Sequence, residues 1–117
     1  MSLAIAIQDA DDADLAFLIE YDHHVGQTVL ADKVARAEVV IARRSRDPIG
    51  WLRFGYFWDS IPFMNMLFVL APYRGQGVGR RLVTFWEDRM RQAGHSSVLT
   101  STQSNESAQH FYRRIGY

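Results

Sequence analysis

The segment Arg74-Gly75-Gln76-Gly77-Val78-Gly79 carries the spacing that most clearly implies chemistry. It follows an apolar run, Phe63 to Leu70, that Pro72 ends. It precedes Val78, Leu82, Phe85, Trp86 and Met90, which recur at three- and four-residue steps. A buried strand, a glycine-rich turn and an amphipathic helix together make an anion site. The first turn of a helix has unpaired N–H groups and a partial positive charge. Glycines at 75, 77 and 79 let the backbone curl, so that the N–H groups between Arg74 and Arg80 face one point where phosphate oxygens fit. Arg74, Arg80 and Arg81 flank the loop and supply further positive charge. The spacing G-x-G-x-G departs from the dinucleotide fingerprint G-x-G-x-x-G, and the Gly-Lys-Ser/Thr ending of a P-loop is absent, so neither nucleotide site is implied.

The elements that must position this loop fit in one small domain spanning residues 1–117. Apolar residues make up 48% of the chain and charged residues 22%, a globular composition. Basic and acidic residues balance at 13 each, which disfavours a general nucleic-acid binder. There is no cysteine, hence no disulfide framework, thiol nucleophile or cysteine-ligated zinc. This fits a cytoplasmic protein. No H-E-x-x-H spacing accompanies the His23-His24 pair, so no metal is expected. The N-terminus lacks the basic start of a signal peptide, and no stretch approaches the length of a membrane span.

Periodicity predicts a strand over Leu3 to Ile7, then a helix capped within Asp9 to Asp12. A second short helix is expected over Ala31 to Glu38, and strands over Val39 to Ala42 and Ile49 to Trp58. Arg46-Asp47-Pro48 reads as the turn between those strands and Asp59-Ser60 as the next. Phe63 to Leu70 has few polar positions and reads as a central strand buried on both faces. After the loop come the long helix closed by Ala93-Gly94, a strand over Ser97 to Thr102, and a last helix from Ser104 or Asn105 carrying Ala108, Phe111, Tyr112 and Ile115. The order is that of an α/β protein: a mixed sheet with helices on its faces.

With these residues the chain resembles the GNAT acetyltransferase superfamily. Its signature, Arg/Gln-x-x-Gly-x-Gly/Ala, is matched in full by residues 74 to 79, and Leu67-Phe68-Val69-Leu70-Ala71-Pro72-Tyr73 looks like the family's approach to it. A second family motif is matched by Asn105, Ala108, Phe111, Tyr112, Gly116 and Tyr117. The resemblance is firm over about residues 61 to 117 and compatible over the first sixty. It implies a mostly antiparallel sheet whose fourth and fifth strands splay apart, with acetyl-coenzyme A as cosubstrate. It places Leu67, Phe68 and Val69 beside the pantetheine arm. Residues Arg74, Gly75, Gln76, Gly77, Val78, Gly79 and Arg80 would hold the pyrophosphate, Asn105 the pantetheine, and Tyr112 would sit near the sulfur.

Acetyl transfer from a thioester to an amine needs a deprotonated amine, donors for the carbonyl oxygen as it becomes an anion, and a proton for the departing thiolate. A backbone N–H near Leu67 to Val69 is the expected oxyanion donor. Taken alone, Tyr112 reads as a core aromatic; within the motif it reads as the acid, since a hydroxyl with a reference pKa of about 10 is still protonated at neutral pH and can meet the departing thiolate. The base is left open. Phe63 stands where some family members carry a glutamate. Asn65 could orient a water, Asp59 lies in the preceding turn, and Glu20, Asp22, His23 and His24 follow or end the first helix. A water relay without a dedicated base serves equally. The acceptor is expected to be a primary amine on a small molecule or peptide. A non-catalytic module that senses acetyl-coenzyme A is the alternative.

Family members usually continue past the Gly-Tyr ending into two more strands, whereas this sequence stops at Tyr117. The uncovered edge implies either further chain or a partner subunit, as in a homodimer.

Overall fold

The computed structural model describes residues 4–58 and 60–100. In β1 (Ile5–Asp9), half-buried and exposed side chains alternate, the period of a strand with one covered face. The chain then turns through Asp12–Asp14, where capping is reciprocal. The Ala13 N–H donates to Asp11 at 2.9 Å, and the Asp11 N–H donates to Asp14 at 2.8 Å. Helix α1 (Leu15–Tyr21) follows, then α2 (Gln27–Ala35), which starts four residues earlier than Ala31 and leaves Glu38 beyond its end.

Strands β2 (Val39–Arg44), β3 (Asp47–Phe57) and β4 (Ile61–Val69) lead to α3 (Val78–Gln92) and β5 (Leu99–Thr100). The sheet order is β1-β2-β3-β4-β5, antiparallel through β4 and parallel between β4 and β5. This is the mixed sheet that the sequence implies, and helices cover both faces. On one face Leu82, Val83, Trp86 and Met90 of α3 pack on Val40, Leu52, Phe54 and Met64. On the other, Leu18 of α1 and Leu30 and Val34 of α2 pack on Val39, Ile41 and Trp51. The alternation along β2 and β3 sends successive side chains to opposite cores. α3 ends as expected: Gly94 takes φ 94°, and the Gly94 and His95 N–H groups close on Arg91 and Met90 carbonyls, each at 3.0 Å.

Two further expectations shift. Pro48 belongs to β3 and not to the turn, which is Ser45-Arg46. It pairs with Arg43 beside a bulge where Ile49 is the extra residue, a place in a sheet that tolerates a missing N–H. The strand buried on both faces is β3, from Ile49 to Gly55, and not β4. In β4, Met64 is buried under α3, but Asn65 is exposed and Met66 to Val69 are half-buried. Its apolar residues therefore serve a face that stays partly open. Of the strand predicted over Ser97 to Thr102, Leu99–Thr100 is described, pairing with Phe63 and Met64. The splay beyond that point and the last helix lie outside the described residues.

Among the described residues no helix is long and apolar enough to cross a membrane. Nor, among them, do three or more His, Cys, Asp or Glu residues gather in a metal-holding group.

At the end of the sheet opposite the glycine loop, burial pushes the Tyr56 hydroxyl above its ordinary range; Glu38 adds to this and Arg89 opposes it. The folded state thus holds that proton more tightly than the unfolded one. The resulting stability is complete below about pH 10 and falls as pH rises through the raised value. A Tyr56→Phe variant is expected to lose less melting temperature than the parent between about pH 9 and about pH 11. Parallel slopes would remove Tyr56 from the alkaline limb.

Candidate functional site

The loop after β4 is built by two left-handed glycines. Gly75 has φ 78° and Gly77, the residue that caps α3, has φ 82°. A Cβ at either would meet nothing within 4 Å, so glycine is required there by backbone conformation and not by crowding. Gly79 is different: it lies in the first turn of α3 and does not share the positive φ, so the curl comes from 75 and 77 alone. Gly77 provides no side-chain cap, and the first intrahelical bond runs from the Arg81 N–H to the Gly77 carbonyl at 3.0 Å. The N–H groups of Val78, Gly79 and Arg80 are thereby left without helical acceptors at the positive end of a 15-residue helix. Gln76 donates to the Pro72 carbonyl at 3.2 Å, which closes the loop on its own base. The residues present fit a diphosphate.

The arginines divide. The Arg74 Nε donates to the Val69 carbonyl at 2.8 Å, and its guanidinium lies 5.1 Å from the Phe68 ring centroid. The Arg74 side chain therefore also braces the end of β4. Arg81 donates to the Ile5 carbonyl at 2.8 Å. Arg80 is exposed and is left for an anion. Arg44, absent from the sequence reading, lies over the Tyr73 ring at 5.6 Å and brings another guanidinium toward the loop. A strand-end arginine gives no sequence signal of that placement.

β4 offers a second feature. The Leu70 N–H donates to the Ile49 carbonyl at 2.8 Å. Hydrogen-bonded and non-bonded pairs alternate along an antiparallel ladder. Phe68 therefore bonds back to Trp51, whereas Leu67 and Val69, opposite Leu52 and Gly50, turn their N–H and C=O groups away from β3. The Val69 carbonyl is taken by Arg74; the Leu67 groups and the Val69 N–H face the β5 side. Below them the register shifts between Arg53 and Phe54, and Asn65 is the extra residue in β4. A bulge re-aims a side chain out of the pleat, which is why such irregularities gather beside working sites. A Cβ on Gly55 would come 3.4 Å from the Asn65 Oδ1 and 2.9 Å from the Lys33 Nζ, so Asn65 and Lys33 converge over Gly55.

The candidate bases fare unequally. Asp22 is buried and binds Arg53, with its Oδ2 2.8 Å from Nε. It is a structural carboxylate. Glu38, a carboxylate outside that candidate set, is held by Lys33 at 2.8 Å, and Lys33 also donates to the Phe54 carbonyl at 2.8 Å. The His23 ring is bonded to the Glu20 carbonyl, and the His24 N–H donates to Asp22 at 3.3 Å. Sequence reasoning missed Arg53 although it carried a signal: a lone charge within the apolar run Ile49 to Trp58. Asn65, Leu67, Phe68, Val69 and residues 74 to 80 fall along one path from the bulge to the mouth of α3. Asp59, Asn105 and Tyr112 lie outside the described residues.

A model of the acetyltransferase (GNAT) family matches residues 7–117. Over 56 residues the chain is 34% identical to N-alpha-acetyltransferase 30 of Schizosaccharomyces pombe, a match covering 47% of this chain and 37% of that protein. Two solved structures show the fold. One is the PaiA N-acetyltransferase of Thermoplasma acidophilum in complex with coenzyme A, with TM-score 0.79, 17% identity, and 97% and 89% of the two chains covered. The other is an aminoglycoside N-acetyltransferase in complex with CoA, with TM-score 0.81, 15% identity, and 100% and 90% covered.

Proposed function

Because the chain belongs to the acetyltransferase (GNAT) family, we propose that it transfers the acetyl group of acetyl-coenzyme A to a primary amine, acting as one domain. The observation that carries this reading is the pair of left-handed glycines opening the first turn of α3 at the end of a strand with outward-turned amides. The cosubstrate supplies a thioester: the amine nitrogen forms a C–N bond to the acetyl carbon, the C–S bond breaks, and the thiolate takes a proton. The amides from Gly75 to Arg80, with the Arg80 guanidinium, hold the diphosphate. Leu67 and Val69 pair with the pantetheine amides along the β5 side of β4, and Phe68 packs beside them. Asn105 contacts the pantetheine arm. A main-chain N–H between Leu67 and Val69 stabilises the carbonyl oxygen as it gains charge.

The Tyr112 hydroxyl is the proton donor to the sulfur: it stays protonated at neutral pH, and reference values of about 10 and about 8.5 make the transfer uphill by only about 2 kcal/mol. The amine loses its proton to a water that Asn65 orients, with Asp59 as the carboxylate that can receive it. Asn65 suits that role because the bulge exposes it.

A second reading, a module that binds acetyl-coenzyme A without turnover, has one observation in its favour. The Asp22 and Glu38 carboxylates on the α1–α2 side are committed to Arg53 and Lys33. Thiol release with a panel of primary amines separates the two.

Binding is tested by thermal unfolding. Coenzyme A at about 100 times its dissociation constant is expected to add about 2.7 kcal/mol of stability. Gly77→Ala is expected to cost about 1–2 kcal/mol in the free protein, the penalty of a left-handed backbone with a Cβ, and to remove most of the protection. No protection of the parent protein at millimolar coenzyme A would refute the binding role of the loop.

A further inference from the structure

Which amine the chain takes is written in the surface facing β4 from α1 and α2. This inference rests on the acetyl-transfer reading. α3 covers the other face of β4, where Met64 is buried and Leu67 and Val69 pack into the α3 core, so an amine reaches the bulge from the α1–α2 side. A row of aromatic rings crosses that side. Tyr21 lies 4.9 Å from Phe17, Phe17 meets Trp51 edge-on at 5.6 Å, and Trp51 lies 4.8 Å from Phe68. The row ends beneath the Arg74 guanidinium, at the threshold of the phosphate loop. Trp51 is buried, but Phe17, Met66 and Phe68 are only partly covered and Tyr21 is 40% exposed.

Charge on this side is spent internally. Of the carboxylates between Leu15 and Glu38, Asp22 is tied to Arg53, Asp32 to Arg36 and Glu38 to Lys33. Among the described residues that leaves Glu20 there without a cation partner. Recognition of a polycation needs several free carboxylates in complementary positions. Among the described residues from Leu15 to Glu38 a single unpaired carboxylate, Glu20, on the helix that carries Phe17 and Tyr21, matches one ammonium group with an apolar flank.

We propose that the acceptor is a primary monoamine whose neighbouring carbon bears an apolar side chain, seated against Tyr21, Phe17, Met66 and Phe68. The test compares acetyl transfer to leucinamide, glycinamide and spermidine, read as thiol release, with coenzyme A protection against unfolding measured in parallel. Leucinamide is expected to exceed glycinamide by about tenfold or more in kcat/KM, the discrimination an apolar pocket gives, and to exceed spermidine. Tyr21→Ser, at an exposed position, is expected to raise KM for leucinamide several-fold and leave coenzyme A protection unchanged. Equal rates for leucinamide and glycinamide, a preference for spermidine, or no transfer to any of the three by a protein that coenzyme A protects would each overturn the proposal. Absence of that protection would strike instead at the acetyl-transfer reading beneath it.

Discussion

Replacing Asp22 by asparagine is expected to lower stability by about 3–5 kcal/mol, because it leaves a buried guanidinium without its counter-charge. The Asp22 side chain is 0% exposed and that of Arg53 is 7% exposed. The pair is joined by Nε–Oδ2 and Nη2–Oδ1 contacts of 2.8 and 3.4 Å. Asp22 also closes α1, its N–H donating to the Leu18 carbonyl at 2.7 Å, and its Oδ1 receives the His24 N–H. Arg53 stands in β3 opposite Met66, next to the bulge at Asn65. One ion pair thus fastens the start of the α1–α2 loop to the strand that backs the site. The expected signature is a lower denaturant midpoint with an unchanged slope. Removing both charges, as Asp22→Leu with Arg53→Met, is expected to recover much of the loss, since no charge is then stranded. A single-variant cost below about 0.5 kcal/mol, the range of surface substitutions, would show that the pair is open to water.

Tyr112→Phe is expected to slow turnover by about 10²–10⁴-fold, the usual contribution of a positioned acid, while coenzyme A affinity stays nearly unchanged. The substitution keeps the ring and deletes the proton donor. Tyr112 lies outside the described residues, so this assignment rests on its place in the motif Asn105, Ala108, Phe111, Tyr112. Measuring kcat by thiol release and affinity by thermal shift on the same preparation separates the roles. Parallel losses in both would make Tyr112 a packing residue.

Much of the scaffold was legible before any coordinates. The helical period of Val78, Leu82, Phe85, Trp86 and Met90 marks the long helix, and all but the half-buried Phe85 are buried where α3 meets the sheet. The glycine loop was read from its spacing, and two of its three glycines take the left-handed backbone expected of them. In sequence Arg74 is only a flanking arginine; the tertiary structure adds that its Nε donates to the Val69 carbonyl. β4 was misread because an apolar run implies apolar surroundings, whereas part of its surface stays open.

What local physics governs could be read from the chain alone: the helical period, the glycines that admit positive φ, and the Gly94 that ends α3. These depend on residues within a turn or two of each other. Pairing between distant segments makes Asn65 a bulge, turns the Leu67 and Val69 amides outward, and brings Arg53 to Asp22 across 31 residues. Register and ion pairing are properties of two segments at once. A strand's own residues specify which side chains are apolar, but its neighbour decides which amides are left free to hold a ligand.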